Sequence, residues 1–271
     1  MNTIRLDGRA ARQLRPFTIT RSPFGYAEGC VMVTMGNTVV LCTVTMSPGV
    51  PHFLKGKKTG WLTAEYAMLP NATQNRTTRE FSGMQRNSRS VEISRIIGRS
   101  LRAIVDLSII GERTITVDCD VLQADGGTRT ACINGAYLAL TDAIQYWIER
   151  RYIDRTIITD TLAAISIGVR NNIVFTDLSC EEDNSIDADY TIVLTRSEHI
   201  IELQGTSEKS VVSWDLFDTI KQASIEATRE IFAHFDKYQA QHHISYGTSK
   251  TAAPDKVPLF SLYNRSKTQN I

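Results

Sequence analysis

Apolar and polar positions along this chain follow two periods, and the switch between them marks its elements. Ile115, Val117, Cys119 and Val121 alternate with Thr116, Asp118 and Asp120, the period of two that predicts a strand with one buried face. Shortly afterwards Ile133, Ala136, Tyr137, Leu140, Ile144 and Trp147 recur at spacings of three and four, which predicts a helix with one apolar stripe. A second helical pattern covers 89–107. There Ile93, Ile97, Leu101 and Ile104 face one way and Glu92, Arg95, Arg99, Arg102 and Asp106 the other. Upstream, apolar runs over 30–35 and 38–46 flank Gly36-Asn37, a pair that tolerates positive φ and predicts a tight hairpin. A second hairpin is expected over 162–178 around Asn171-Asn172, more strand over 190–203, and a last amphipathic helix over about 214–235 carrying Phe217, Ile220, Ala223, Ala227 and Ile231. The order hairpin, then helix, occurs twice. The expected architecture is therefore mixed α/β (α+β), with two related β/α halves sharing one core. Residues 1–15 read as a basic arm and 71–89 as an exposed polar surface, with one domain over 1–238 and a flexible tail over 239–271.

Composition changes this picture little. With 42% hydrophobic residues over 271 positions the chain can bury a real core. Four arginines lie in the first fifteen residues with no long apolar run after them, so neither a secretory signal nor a membrane span is expected. Cys30, Cys42, Cys119, Cys132 and Cys180 are odd in number and lack CxxC spacing, which points to buried thiols in a reducing compartment.

Charge changes it more. The net charge of +1 hides 21 arginines against nine lysines, and eight arginines against four acids between residues 76 and 113. Arginine favours planar, bidentate contacts with phosphates or carboxylates, so polyanion binding competes here with surface salt bridges and subunit contacts. The segment 181–189 carries five acids and no base.

Two stretches are candidates for chemistry. Asp125-Gly126-Gly127-Thr128-Arg129-Thr130 joins the predicted strand to the predicted helix. Its glycines allow close backbone approach, and the first N–H groups of a helix have no intrahelical partner, so with one guanidinium it can hold an oxyanion. Taken alone, those residues could equally be a turn with Thr128 or Thr130 capping the helix. In the acidic run, Asp183 and Asp189 would lie about 20 Å apart on one extended strand. They could share a divalent ion such as Mg²⁺ only if Asn184-Ser185 turns the chain; otherwise Asp187 and Asp189 would cooperate, or the run is a solvated loop.

The motifs together resemble the bacterial ribonuclease PH family. They are Asp7-Gly8-Arg9 with Leu14-Arg15-Pro16, GWLTAEYAMLP (60–70), Arg76 and Arg79 in NRTTRE, Arg89 in SRSVEISRIIGRSLRA, DCDVLQADGGTRTA (118–131), EEDNSIDAD (181–189) and ELQGTSE (202–208). The resemblance implies a phosphorolytic 3′ to 5′ exoribonuclease of the cytoplasm that trims tRNA precursors and other RNA 3′ ends. It makes Arg89, Gly127, Thr128 and Arg129 the phosphate site and Asp183 and Asp189 the catalytic, metal-binding pair for Mg²⁺. It also gives Arg76 and Arg79 to hexamer contacts or RNA binding, and implies a homohexamer built as a trimer of dimers. Ser88, where a glycine is usual, Asn134, where a threonine is usual, and GTSEKSVVS (205–213), without the usual glycine and phenylalanine, depart from the pattern, and the tail after about residue 239 lies outside it. A ring subunit that binds RNA without catalysis is the competing class. A small-molecule kinase is disfavoured because GxxxxGK[ST] is missing.

Overall fold

The computed structural model describes residues 5, 7–21, 24–79 and 87–245. The strand, turn and helix read from 115–147 form its centre, as β5 (Arg113–Gln123) and α2 (Thr128–Glu149). Around β5 lies a first sheet built from β1 (Phe17–Arg21), β2 (Gly29–Met35), β3 (Thr38–Pro48) and β4 (Trp61–Met68), in the order β1-β2-β3-β5-β4. All neighbours are antiparallel except β4 and β5. A parallel pair needs a crossover, and α1 (Ser88–Arg102) supplies it. The second sheet is antiparallel, in the order β7-β6-β8-β9, from β6 (Leu162–Arg170), β7 (Ile173–Thr176), β8 (Ala188–Thr195) and β9 (Ile200–Ser207). A short α3 (Cys180–Asp183) precedes β8, and α4 (Trp214–Ser245) follows β9. Two sheet-and-helix halves on one core are the architecture expected from the repeated hairpin-then-helix order.

The single apolar stripe predicted for α2 is too narrow. Leu138, Ala139 and Ala143 are as fully buried as Ile133 and Leu140, because α2 packs on β2, β3 and β5 of one sheet and on β6 of the other. A helix covered on all sides shows weak amphipathicity and needs small residues where backbones come close. A Cβ on Gly29 of β2 would fall 1.9 Å from the Ala139 carbonyl oxygen, and one on Gly135 would fall 2.7 Å from Cys42 Sγ. Asn134, one of the departures from the resembled pattern, joins the halves. Its Nδ2 donates to the Ala164 carbonyl of β6 at 3.0 Å and its Oδ1 accepts from the Ala164 amide at 2.8 Å. With both amide groups paired, the desolvation of a fully buried Asn134 is offset.

The hairpin turns differ from each other. Asn171 and Asn172 are both left-handed (φ 51° and 60°), whereas at Gly36-Asn37 only Gly36 is (φ 58°). The helix expected to end near 235 continues to Ser245, so 239–245 is helical rather than tail; Ala and Gln there are good helix formers. Residues 1–236 form one compact unit, with a second beginning at Lys237. Most of the expected tail, 246–271, lies outside the described residues. Among the described residues no helix is long and apolar enough to cross a membrane.

The reading of 1–15 as an arm is overturned. Arg5, Arg9 and Arg15 are buried, which a hydrophobic pattern cannot reveal, because a guanidinium is tolerated inside when its donors are paired. The expectation of burial holds for the thiols of Cys30, Cys42, Cys119 and Cys132 and not for Cys180, which is exposed.

Candidate active site

The Asp125–Thr130 turn is built from backbone conformation. Gly126 and Gly127 are both left-handed (φ 75° and 64°), and Gly127 occupies the cap position of α2 with no side chain capping it. The alternative in which Thr128 or Thr130 caps the helix is therefore not what forms. Thr130 Oγ1 donates to the Gly127 carbonyl at 2.9 Å, and Thr128 Oγ1 shares a 3.1 Å hydrogen bond with the Tyr66 hydroxyl of β4. Gly126 lies flush against the second half, where a Cβ would come within 2.6 Å of the Leu178 carbonyl oxygen and 2.7 Å of the Cys180 nitrogen. No other residue fits there.

The acidic segment faces this turn from the second half. Ser179 caps α3, with Glu182 answering in a capping box. Glu182 is also gripped by Arg5 through Nε and Nη2, with Arg9 Nη2 at 3.4 Å. Fully buried Asp177 accepts from the Arg15 amide at 2.8 Å and from Arg15 Nη2 at 2.6 Å. The basic first residues therefore anchor the acidic ones. After α3 the chain turns, with Asn184 and Ser185 donating back to the Cys180 and Glu182 carbonyls at 3.3 and 2.9 Å. This is the turn the sequence demanded if Asp183 and Asp189 were to meet.

A hollow of about 370 Å³ is lined by Arg89, Gly127, Thr128, Arg129, Asp183 and Asp189, together with Tyr190, Thr191 and Cys180. Six of the eight sequence candidates thus share one hollow, formed between the two halves of the compact unit. Arg76 and Arg79 are not among its lining; they are exposed, on the irregular segment 71–79. Ser88 opens α1 directly after the cap residue Asn87, whose Oδ1 accepts from the Arg89 amide at 3.0 Å. That position is ordinary helix start with no left-handed backbone, so a serine there costs nothing. Arg129 Nη1 donates to Thr191 Oγ1 at 3.2 Å and to Gln204 Oε1 at 3.1 Å, and Nη2 lies 3.6 Å from Glu92. Its Nε is buried and has no hydrogen-bond partner among the described residues. A buried donor left unmade is costly, which favours an acceptor arriving with a ligand.

The two aspartates are electrostatically strained. Partial desolvation raises the Asp183 carboxyl above its ordinary value, the Asp189 and Glu208 charges raise it further, and Arg89 and Arg129 oppose. Asp189 is raised by desolvation and then by Glu208. Glu208, at the end of the ELQGTSE motif, was missed as part of the electrostatics of the site; only its place in that motif could have flagged it. Asp187, the rival for the metal pair, points elsewhere: its Oδ2 accepts from the Asn171 amide at 2.8 Å. Among the described residues no group of three or more His, Cys, Asp or Glu is placed to hold a metal ion. Two carboxylates with raised proton affinity still fit Mg²⁺, which takes one or two carboxylates and completes its shell with water and substrate phosphate.

Residues 13–144 match the model of the RNase PH family, described as the 3′ exoribonuclease family, domain 1. Particular solved structures then agree with the whole fold. A chain of the Archaeoglobus fulgidus exosome with RNA bound to the active site is 24% identical, covering 86% of this chain and 93% of that one, with a TM-score of 0.73. Rice (Oryza sativa) Rrp46 is 22% identical over 84% of this chain and 97% of its own (TM-score 0.69). A chain of an archaeal exosome core is 23% identical over 84% and 89% (TM-score 0.67).

Proposed function

We propose that this protein is a phosphorolytic 3′ to 5′ exoribonuclease that shortens RNA, tRNA precursors among its substrates, and releases nucleoside diphosphates. The observation that carries this is the single hollow in which two arginines and the opening of a long helix face two aspartates. Arg89, Arg129 and the first N–H groups of α2 bind and orient inorganic phosphate. One phosphate oxygen attacks the last phosphodiester in line. The new P–O bond forms as the bond to the 3′ oxygen of the preceding nucleotide breaks, and that oxygen takes up the proton. No side-chain nucleophile is required. Mg²⁺ held by Asp183 and Asp189, when bound, supplies neutralisation of charge on the phosphoryl oxygens. The energy of one phosphodiester is kept in the diphosphate, so the reaction also runs in reverse and adds nucleotides. Arg76 and Arg79, exposed and outside any core pattern, are proposed to contact RNA or a neighbouring subunit in a homohexamer, a trimer of dimers. Location in the cytoplasm rests on the family resemblance.

The test is RNA incubated with and without inorganic phosphate. Phosphate-dependent shortening with nucleoside diphosphates as products is expected. Products that are monophosphates, or no shortening, would reject the proposal and favour a non-catalytic RNA-binding ring subunit.

A further inference from the structure

We propose that Arg15 and Thr38 are positioning residues that hold the back of the anion turn and thereby aim its N–H groups into the hollow; this rests on the phosphate reading above. Arg15 Nη1 donates to the Asp125 carbonyl at 2.6 Å, and its Nη2 reaches the Gly126 carbonyl at 3.4 Å. Thr38 Oγ1 donates to the same Gly126 carbonyl at 2.6 Å and accepts from the Asp125 amide at 2.9 Å. Both residues are buried, Thr38 completely.

A peptide unit is planar, with its C=O and N–H pointing in opposite directions. Fixing the carbonyls of Asp125 and Gly126 therefore fixes the amides of Gly126 and Gly127. These are glycines, free to occupy either side of φ space. Without the two clamps the 125–126 and 126–127 peptides could flip, which would turn a carbonyl oxygen toward an incoming phosphate and replace attraction with repulsion.

Arg15 does not do this by offering charge to the anion. Its guanidinium is neutralised by fully buried Asp177, with Nη2 2.6 Å from Oδ1. It also lines a different hollow, behind the turn, with Asp7, Asn37 and Asp125, and is not among the residues that surround Arg89 and Arg129. Asp177 in turn precedes α3, so one side chain ties the anion turn to the acidic segment. The pair Asp7-Gly8-Arg9 and Leu14-Arg15-Pro16, which carried resemblance but no chemistry, thus gains a role at Arg15.

The experiment uses the full chain with Arg15→Lys, Thr38→Val and Thr38→Ser. It measures inorganic phosphate binding by calorimetry, the KM for phosphate and kcat separately, and the melting temperature. Arg15→Lys keeps the charge and loses the fork; Thr38→Val keeps the shape and loses the hydroxyl. Both are expected to weaken phosphate binding on the order of tenfold and to raise KM for phosphate more than they lower kcat. Thr38→Ser should restore binding to within about twofold of the parent. Folded variants that bind phosphate as tightly as the parent overturn the inference, even if their melting temperature falls, because a purely structural role predicts that outcome. Should Arg15→Lys fail to fold, Thr38→Val against Thr38→Ser decides alone. A parent protein that neither binds phosphate nor shortens RNA would overturn the functional reading itself, and this inference with it.

Discussion

The two walls of the hollow are made in different ways. The Asp125–Thr130 wall is backbone: two left-handed glycines at the opening of α2, the first of them, Gly126, pressed against residues 178–180. The Asp183–Asp189 wall is side-chain charge, carried on α3 and β8 and held by a capping box and buried arginines. A wall of conformation fails when geometry changes; a wall of charge fails when a proton or an amide replaces the charge. The contrast extends to neighbours in sequence. Glu182, despite desolvation, is held below its ordinary value by Arg5 and the Ser179 amide, whereas Asp183 beside it is raised. One stabilises the fold; the other, desolvated beside like charges, costs it.

The largest expected effect comes from the one cationic side chain of the backbone wall. Arg129→Ala should abolish phosphorolysis while RNA binding survives, and raised phosphate should not fully restore activity. Near-parental rates at ordinary phosphate would break the assignment of that wall. Next, Asp183→Asn and Asp189→Asn should each lower activity about a hundredfold or more in both directions, because degradation and addition share one transition state. Phosphate binding measured without metal should persist, and the melting temperature should rise slightly as like-charge repulsion is relieved. Loss of phosphate binding in these variants would mean that the walls are not separable. Gly126→Ala should damage geometry instead, lowering stability by roughly 2 kcal/mol or more together with phosphate affinity; an unchanged melting temperature would refute the close packing argued here.

Away from both walls, Arg76→Ala combined with Arg79→Ala should give smaller assemblies that trim tRNA precursors poorly. Light scattering showing the assembly size of the parent unchanged, with unchanged trimming, refutes it. The pH response is subtler. Raised Asp183 and Asp189 take up protons before ordinary carboxylates as pH falls, so activity should decline on the acid side at a pH above the usual aspartate value of 3.8. The sign for stability is opposite. A carboxyl raised in the fold contributes stability below its unfolded value and loses it as pH rises through the folded value. The metal-free protein should therefore gain stability over the window in which activity is lost, until Glu182 protonates at lower pH and its contribution disappears. Asp189→Asn should shrink that gain. The smallest effect belongs to Asp187→Asn, since an amide oxygen can still accept from the Asn171 amide; damage equal to that of Asp189→Asn would reassign the pair.

The backbone wall was legible because strand period, glycine pair and helix period are adjacent in sequence. The alternative of a threonine cap falls away: Gly127 caps by conformation, and the hydroxyls of Thr128 and Thr130 turn to other partners. The acidic wall was only half legible. Its five acids were visible, but the turn at Asn184-Ser185 is fixed by hydrogen bonds closed within α3 and by arginines about 170 residues away. Long-range charge pairing leaves no period in a sequence, which is also why Arg5, Arg9 and Arg15 read as an arm. Likewise the polar face of α1 looked like a surface for polyanions, yet Arg99 bonds Glu202 of β9 at 2.9 Å and Arg102 donates to the Leu62 carbonyl at 2.8 Å. Motif resemblance located Asp183 and Asp189; packing explains how they meet.

The uneven burial of the cysteines has a practical side. Four thiols are sealed in the core, and Cys180 alone is exposed, on the rim of the hollow between the two walls. A thiol-directed fluorophore or spin label added to the natural sequence would attach at this one place, without any engineered cysteine. Its signal would report on whatever enters the hollow, one turnover at a time.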